Sequence, residues 1–346
     1  CYNRHEICLL EHKNDSAAYY LELRAAADTL NVEWHNDAGR FIEDYLADYN
    51  KALFYFNRIL STCGVNDDNK EWKATAYNNI GSIYYLQGDY TKALEYNEKS
   101  LKTRLDILGE NHPDVAASYN NIGGVYYSQG DYPKALEYYE KALKILLDIF
   151  GENHPNVAGS YYNIGAVYDS QGYYAKALEY YEKSLKIWLD VFCEKHPDVA
   201  LSYNNIGAVY DSQGDYPKAL EYYEKSLKIQ LDILGENHPS VGTIYDEIML
   251  TYWTAKSKGE VLPGFDEFTS ERAFVGTILP GDTPAGQQGM SGEYVILEFG
   301  DWNIDSELSF LDKNEELRGK PKTVTVMQDG KISQHHFENA IGMQLS

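Results

Sequence analysis

The chain is poor in cysteine, proline and basic side chains, and it has no long apolar run. Its 346 residues include four cysteines, at positions 1, 8, 63 and 193, with no CxxC pair and no dense framework. That spacing excludes a disulfide scaffold and a thiolate metal cluster, so the cysteines read as scattered small apolar residues. The lack of disulfide logic and of a visible export signal favours a cytosolic setting. A chain that opens on Cys1 also suits a truncated fragment or a lipid-modified lipoprotein. No stretch approaches the roughly 18 apolar residues that a membrane-spanning helix needs. Basic side chains number 30 against 53 acidic ones, for a net charge of −23. Such a chain repels phosphate backbones, which argues against nucleic acid and toward basic or neutral partners. Gly-x-Ser-x-Gly, HExxH, a phosphate-binding glycine loop and a Cys–His constellation are all missing. No enzyme activity, cofactor or metal is therefore expected.

What is present repeats. The segment Asn-Ile-Gly recurs with its glycine at Gly81, Gly123, Gly165 and Gly207, a constant step of 42 residues. His-Pro recurs in register as His112-Pro113, His154-Pro155, His196-Pro197 and His238-Pro239. A fixed period of about 20–50 residues marks a solenoid, whose units bury their apolar faces only against their neighbours. Tyrosine supplies 32 residues, which suits many half-buried rings with a wet hydroxyl.

Within the second unit, Val115, Tyr119, Ile122 and Tyr126 fall on one helical stripe. Tyr132, Ala135, Leu136, Tyr139, Ala142, Leu143 and Leu146 form the stripe of a second helix. Gly130 supplies a left-handed turn between them, Asp131 caps the second helix, and Pro155 opens the next first helix. Gly123 and Ala135 are small where two antiparallel helices must approach. Glu95 with Lys99, and Glu98 with Lys102, are i,i+4 pairs on a solvated face. Cys193 stands where other units have Gly109, Gly151 and Gly235, which should cost that turn about 1 kcal/mol or change its geometry.

Tyr84, Gly88, Tyr90, Ala93, Leu94 and their equivalents resemble the tetratricopeptide repeat, in the 42-residue form of kinesin light chains and nephrocystin-like proteins. The resemblance implies an all-α superhelical solenoid of antiparallel helix pairs over residues 1–260. Full repeats fall at about 73–114, 115–156, 157–198 and 199–240. Partial repeats flank them: Tyr49, Lys51, Ala52, Leu53 and Tyr55 read as a second helix, and Ser16 to about Leu30 as opening helices. Val241, Tyr245, Ile248 and Tyr252 read as a closing first helix. In this family the first helices line a concave groove. The implied peptide-binding positions are Asn78, Ser82, Tyr85, Asn120, Tyr127, Tyr162, Asp169, Asn204 and Asp211, with Asn79, Asn121, Asn163 and Asn205 as a second polar ladder. Each amide offers two donors and an acceptor, able to hold an extended peptide by its backbone. The alternative is that the ladder hydrogen-bonds between neighbouring helices. Asp169 and Asp211 favour a ligand bearing Lys or Arg. The four histidines are too far apart to share a metal and read as turn residues.

After about Gly264 the helical period vanishes. Ala273–Leu279 and Glu293–Phe299 read as strands, Thr283–Met290 and Asp305–Leu317 as helices, and Thr323–Met327 with Lys331 onward as a hairpin about Asp329-Gly330. This order resembles a bacterial-type PDZ domain over residues 265–346, a small α+β barrel or sandwich. Leu262-Pro263-Gly264-Phe265 departs from the family's carboxylate-binding loop, so that site is not carried over. A peptide added as a strand would lie beside the helix around Ser306–Phe310. Adjacent His335 and His336 point to opposite faces, which disfavours a shared metal.

The expected function is a non-catalytic scaffold that takes peptide segments in the repeat groove and in a PDZ-like groove. The alternative is the regulatory or substrate-recruiting part of a larger enzyme, such as a protease. Self-association through the repeat ends is a third expectation.

Overall fold

A computed structural model describes residues 14–64, 69–236 and 238–264, and the backbone of five strand segments between 274 and 345. The chain divides into two compact units, Cys1–Val191 and Phe192–Ser346. No peptide bond is cis.

The first unit is an all-helical solenoid. Its helices are α1 (Asn14–Ala27), α2 (Val32–Phe41), a π segment (Ile42–Leu46), α3 (Tyr49–Cys63), α4 (Lys70–Leu86), α5 (Tyr90–Leu108), α6 (Pro113–Ser128), α7 (Tyr132–Phe150), α8 (Pro155–Ser170) and α9 (Tyr174–Phe192). Pairing of α2 and its π extension with α3 makes the upstream copy a complete helix pair. The sequence had offered only its second helix.

Local chemistry sets each boundary. Asp48, Asp89 and Asp131 accept the backbone N–H three residues on, at 3.1, 3.1 and 3.3 Å. Glycine closes the first helices of the full repeats at positive φ, as at Gly88 and Gly130, while Ala47 takes that conformation in the upstream pair. The histidines do more than turn. His112 and His154 each accept, at Nδ1, the N–H two residues on, at 3.2 and 3.1 Å, and so cap the helix that the following proline begins. Phe150 stacks on His154 with ring centroids 3.9 Å apart.

Packing within a pair depends on one approach. A Cβ added to Gly123 would lie 2.8 Å from the Tyr139 ring, and one added to Gly165 would lie 2.8 Å from Tyr181. Beside it a buried serine locks the helices: Ser100 donates to Ala74 O at 2.8 Å and Ser184 to Ala158 O at 2.9 Å. On the outer side Tyr84 stacks with Tyr96 and Tyr126 with Tyr138, with Lys99 and Lys141 over the rings. The Glu95–Lys99 pair forms at 2.6 Å, whereas Glu98–Lys102 is not among the ion pairs of the described residues.

The second unit holds α10 (Pro197–Gln213), α11 (Tyr216–Leu234) and α12 (Pro239–Ser257), built on the same rules. Tyr223 lies on Gly207, Ser226 donates to Ala200 O, and His196 and His238 cap α10 and α12. The segment after α12 brings Leu262 into a core with Tyr216, Tyr223 and Tyr252. Five strands follow: β1 (Phe274–Ile278), β2 (Gly292–Phe299), β3 (Lys322–Gln328), β4 (Lys331–Phe337) and β5 (Met343–Leu345). They form one antiparallel sheet in the order β4-β3-β2-β1-β5, with Gln328 opposite Lys331 across the hairpin. The helices expected at 283–290 and 305–317 and the Ser306–Phe310 groove lie outside the described residues, as do the side chains of His335 and His336.

Two stability measurements check this packing. Gly123→Ala, forced against a buried ring, should destabilise by about 1–2 kcal/mol in urea, whereas Gly159→Ala, with open space at its Cβ, should stabilise by about 0.5–1 kcal/mol. Equal effects would show that the ring does not constrain the glycine. Cys193 keeps the positive φ of the turn it interrupts, +64°. Cys193→Gly should therefore raise stability by about 1 kcal/mol, and unchanged stability would mean the turn carries no strain.

Candidate functional site

The expected ligand-facing positions lie on the first helices of the full repeats: α4, α6 and α8 in the first unit and α10 in the second. Their spacing lets a side chain on one first helix meet a side chain 43 residues away on the next. Asn79 donates to Asn36 Oδ1 at 3.0 Å, and Asn121 donates to Asn78 Oδ1 at 2.8 Å. The Tyr85 hydroxyl shares a hydrogen bond with Ser128 at 2.8 Å, and Tyr127 does so with Ser170 at 2.8 Å. In the second unit Asn204 donates to Glu247 Oε1 at 3.3 Å. Part of the polar ladder thus ties neighbouring helices together, which is the alternative weighed for it above.

The ladder is not fully satisfied. The Oδ1 atoms of Asn120, Asn204 and Asp211 and Oε2 of Glu247 are shielded from water and accept no hydrogen bond. All four are acceptor atoms. Tyr162 lies against Tyr181 with centroids 5.6 Å apart, and Tyr85 is 38% exposed. Asn163, Asp169 and Asn205 are half-buried at the equivalent helical positions.

Burial also sets the electrostatics. It raises the Asp169 carboxyl above its ordinary value. It raises Asp211 too, opposed by a hydrogen bond with Thr251 and by the Lys258 charge. Lys258 bonds the buried Tyr216 hydroxyl and sits 5.0 Å from that ring's centroid. Glu247 is pushed up to about 7, chiefly by burial, with Asp246 and Asp211 adding repulsion and Asn204 opposing. Glu43, in the π segment, also rises to about 7 by burial and by Asp44, against a Ser82 hydrogen bond and Arg40.

Glu43 and Glu247 were missed because neither lies in a full repeat. Stepping the period outward finds both: Glu43 is 42 residues before Tyr85, and Glu247 is 42 after Asn205. Among the described residues no group of three His, Cys, Asp or Glu side chains is placed to hold a metal ion. No described helix is long and apolar enough to cross a membrane.

The two raised carboxyls fix a pH dependence. Their folded-state values lie above the ordinary 4.5, so the folded chain binds these protons more tightly than the unfolded one. The resulting stability is complete below about pH 4.5 and is lost as pH rises toward 7. Glu43→Gln with Glu247→Gln should flatten the decline in urea midpoint between pH 5 and pH 8. An unchanged decline would place its origin elsewhere.

The model of the tetratricopeptide repeat matches residues 34–106, 72–148, 114–190, 157–232 and 198–259. Among solved structures, BtubC (BKLC) from P. vanneervenii is 22% identical with a TM-score of 0.53, over 66% of this chain and 89% of that one. A kinesin light chain-type protein of Podosopora anserina with nearly identical TPR-like repeats is 21% identical with a TM-score of 0.49, over 58% of this chain and 93% of that one. A signal-transduction ATPase with a tetratricopeptide repeat sensor, from Pyrococcus horikoshii, is 18% identical with a TM-score of 0.57, over 75% of this chain and 38% of that one. No curated protein is detectably similar. The family match runs from α2 to the segment after α12 and covers more than half of the residues: the chain belongs to the tetratricopeptide repeat family.

Proposed function

We propose that this chain is a non-catalytic peptide-binding module whose first helices hold an extended segment bearing Lys or Arg. The observation that carries the reading is the surplus of buried acceptors. Asn120 Oδ1 in the first unit, and Asn204 Oδ1, Asp211 Oδ1 and Glu247 Oε2 in the second, have no donor. An unsatisfied buried acceptor costs roughly 1–3 kcal/mol. A peptide backbone N–H relieves an amide oxygen, and an ammonium or guanidinium group relieves a carboxylate. Half-buried Asp169 and Asp211 and the net charge of −23 select for such a ligand.

The antiparallel sheet supports a second, strand-adding contact of PDZ type, since a bound peptide extends a sheet through backbone hydrogen bonds. Two weak contacts on one ligand gain by effective concentration. End-to-end stacking is the less favoured partner, because Leu262 already covers the apolar face beside Tyr216 and Tyr252.

The test is capture from an array of extended Lys- and Arg-containing peptides by the full chain. Asn120→Ala with Asn204→Ala, and separately Asp169→Asn with Asp211→Asn, should each weaken capture about tenfold or more, with circular dichroism unchanged. Capture that is unaltered in both variants would move the site to another surface.

A further inference from the structure

In three repeats a tyrosine of the second helix lies flat over a glycine of the first: Tyr139 on Gly123, Tyr181 on Gly165, Tyr223 on Gly207. All three tyrosines are at most 5% exposed. The Tyr139 hydroxyl extends to 3.6 Å from the Cβ position of Gly124, and Tyr85 and Tyr127 flank it. Those flanking residues stand at expected ligand positions, so the phenol approaches the groove face from behind.

The first full repeat departs at this point. Asn97 stands 42 residues before Tyr139, where the period calls for tyrosine. Its amide lies against Gly81, is 4% exposed, and leaves its Oδ1 without a hydrogen-bond partner. Asparagine ends where the outer half of a tyrosine ring begins. Two more substitutions fall on that same spot. Ser82 replaces the Gly124 equivalent, Glu43 replaces the Tyr85 equivalent, and the two are hydrogen-bonded. The repeat therefore lacks the phenol and carries a hydroxyl and a carboxyl at the register positions that flank the phenol oxygen one repeat later.

We propose that Asn97, Gly81, Ser82 and Glu43 form a socket for a phenol ring, supplied by a tyrosine side chain of a bound peptide. The ring lies beyond the Asn97 amide, in the place that the outer ring of Tyr139 takes one repeat later. Its hydroxyl exchanges hydrogen bonds with Ser82 and Glu43, whose flexible side chain swings aside to admit it. As a peptide anchor the socket rests on the groove reading above; the socket itself is testable with no peptide.

The probe is p-cresol, with toluene as its hydroxyl-free counterpart, added to the full chain during thermal unfolding. At several times its Kd, cresol should raise Tm by about 2–4 °C, and toluene should raise it less. Asn97→Tyr restores the repeat's own residue and fills the socket, so its Tm should not respond; Asn97→Phe serves if tyrosine there impairs folding. No shift in the wild type, or an equal shift in the filled variants, overturns the socket. A toluene shift equal to that of cresol overturns the role of Ser82 and Glu43. Cresol binding that survives while the Asn120 and Asn204 variants capture peptide normally keeps the socket and discards the groove reading.

Discussion

The contact on which the other features depend is the seating of an aromatic ring on a bare backbone. Two antiparallel helices approach closely only if one presents no side chain at the crossing, and glycine at 123, 165 and 207 meets that condition. The ring that fills the crossing brings more buried area than any aliphatic side chain could, and it carries a hydroxyl through to the far side. Burial raises that hydroxyl's pKa above the ordinary phenol value for Tyr139 and Tyr181. A packing contact on one face of the pair thus determines what the other face can offer. Asn97 matters for this reason: changing the knob changes the surface.

A second constraint follows from the 42-residue step. Adjacent first helices meet with an offset of 43, so the residue contacted is one place beyond its own equivalent. Asn78 meets Asn121 and Tyr85 meets Ser128. Each ladder position accordingly serves two tasks, holding its neighbour and facing outward. An asparagine that donates to the next helix leaves its oxygen over, which is how Asn204 comes to hold Glu247 and still carry an unpartnered Oδ1.

Most of the helical architecture was legible in the sequence because it is written in local chemistry. Asp caps, Gly turns and Pro starts act over three or four residues, and repetition exposes them by averaging out the rest. The strand pattern was legible for the same reason, through alternation and the Asp-Gly turn. What stayed hidden depends on partners distant in sequence or on departures from the period. The His-Pro pair looked like a turn because capping by Nδ1 needs a helix start to be seen. Val32–Leu46 escaped because it lies upstream of the full repeats and its last turn, Ile42–Leu46, is a π segment that departs from the 3.6-residue spacing. Glu43 and Glu247 escaped because they stand in the partial repeats at the two ends, and burial is what gives them their raised values.

Burial also changes the meaning of the net charge. A count of −23 assigns every carboxyl a full unit, yet burial pushes Glu43 and Glu247 up to about 7 and shifts Asp169 and Asp211 in the same direction. These carboxyls lie at or beside the expected ligand positions, where burial works against the ionised form. On the proposed reading, the field of a ligand's cation favours the ionised form and the same group supplies the missing donor. In the proposed groove, a basic segment would add its charge where burial disfavours the ionised carboxyl, so that selectivity rests on replacing a proton as well as on net charge.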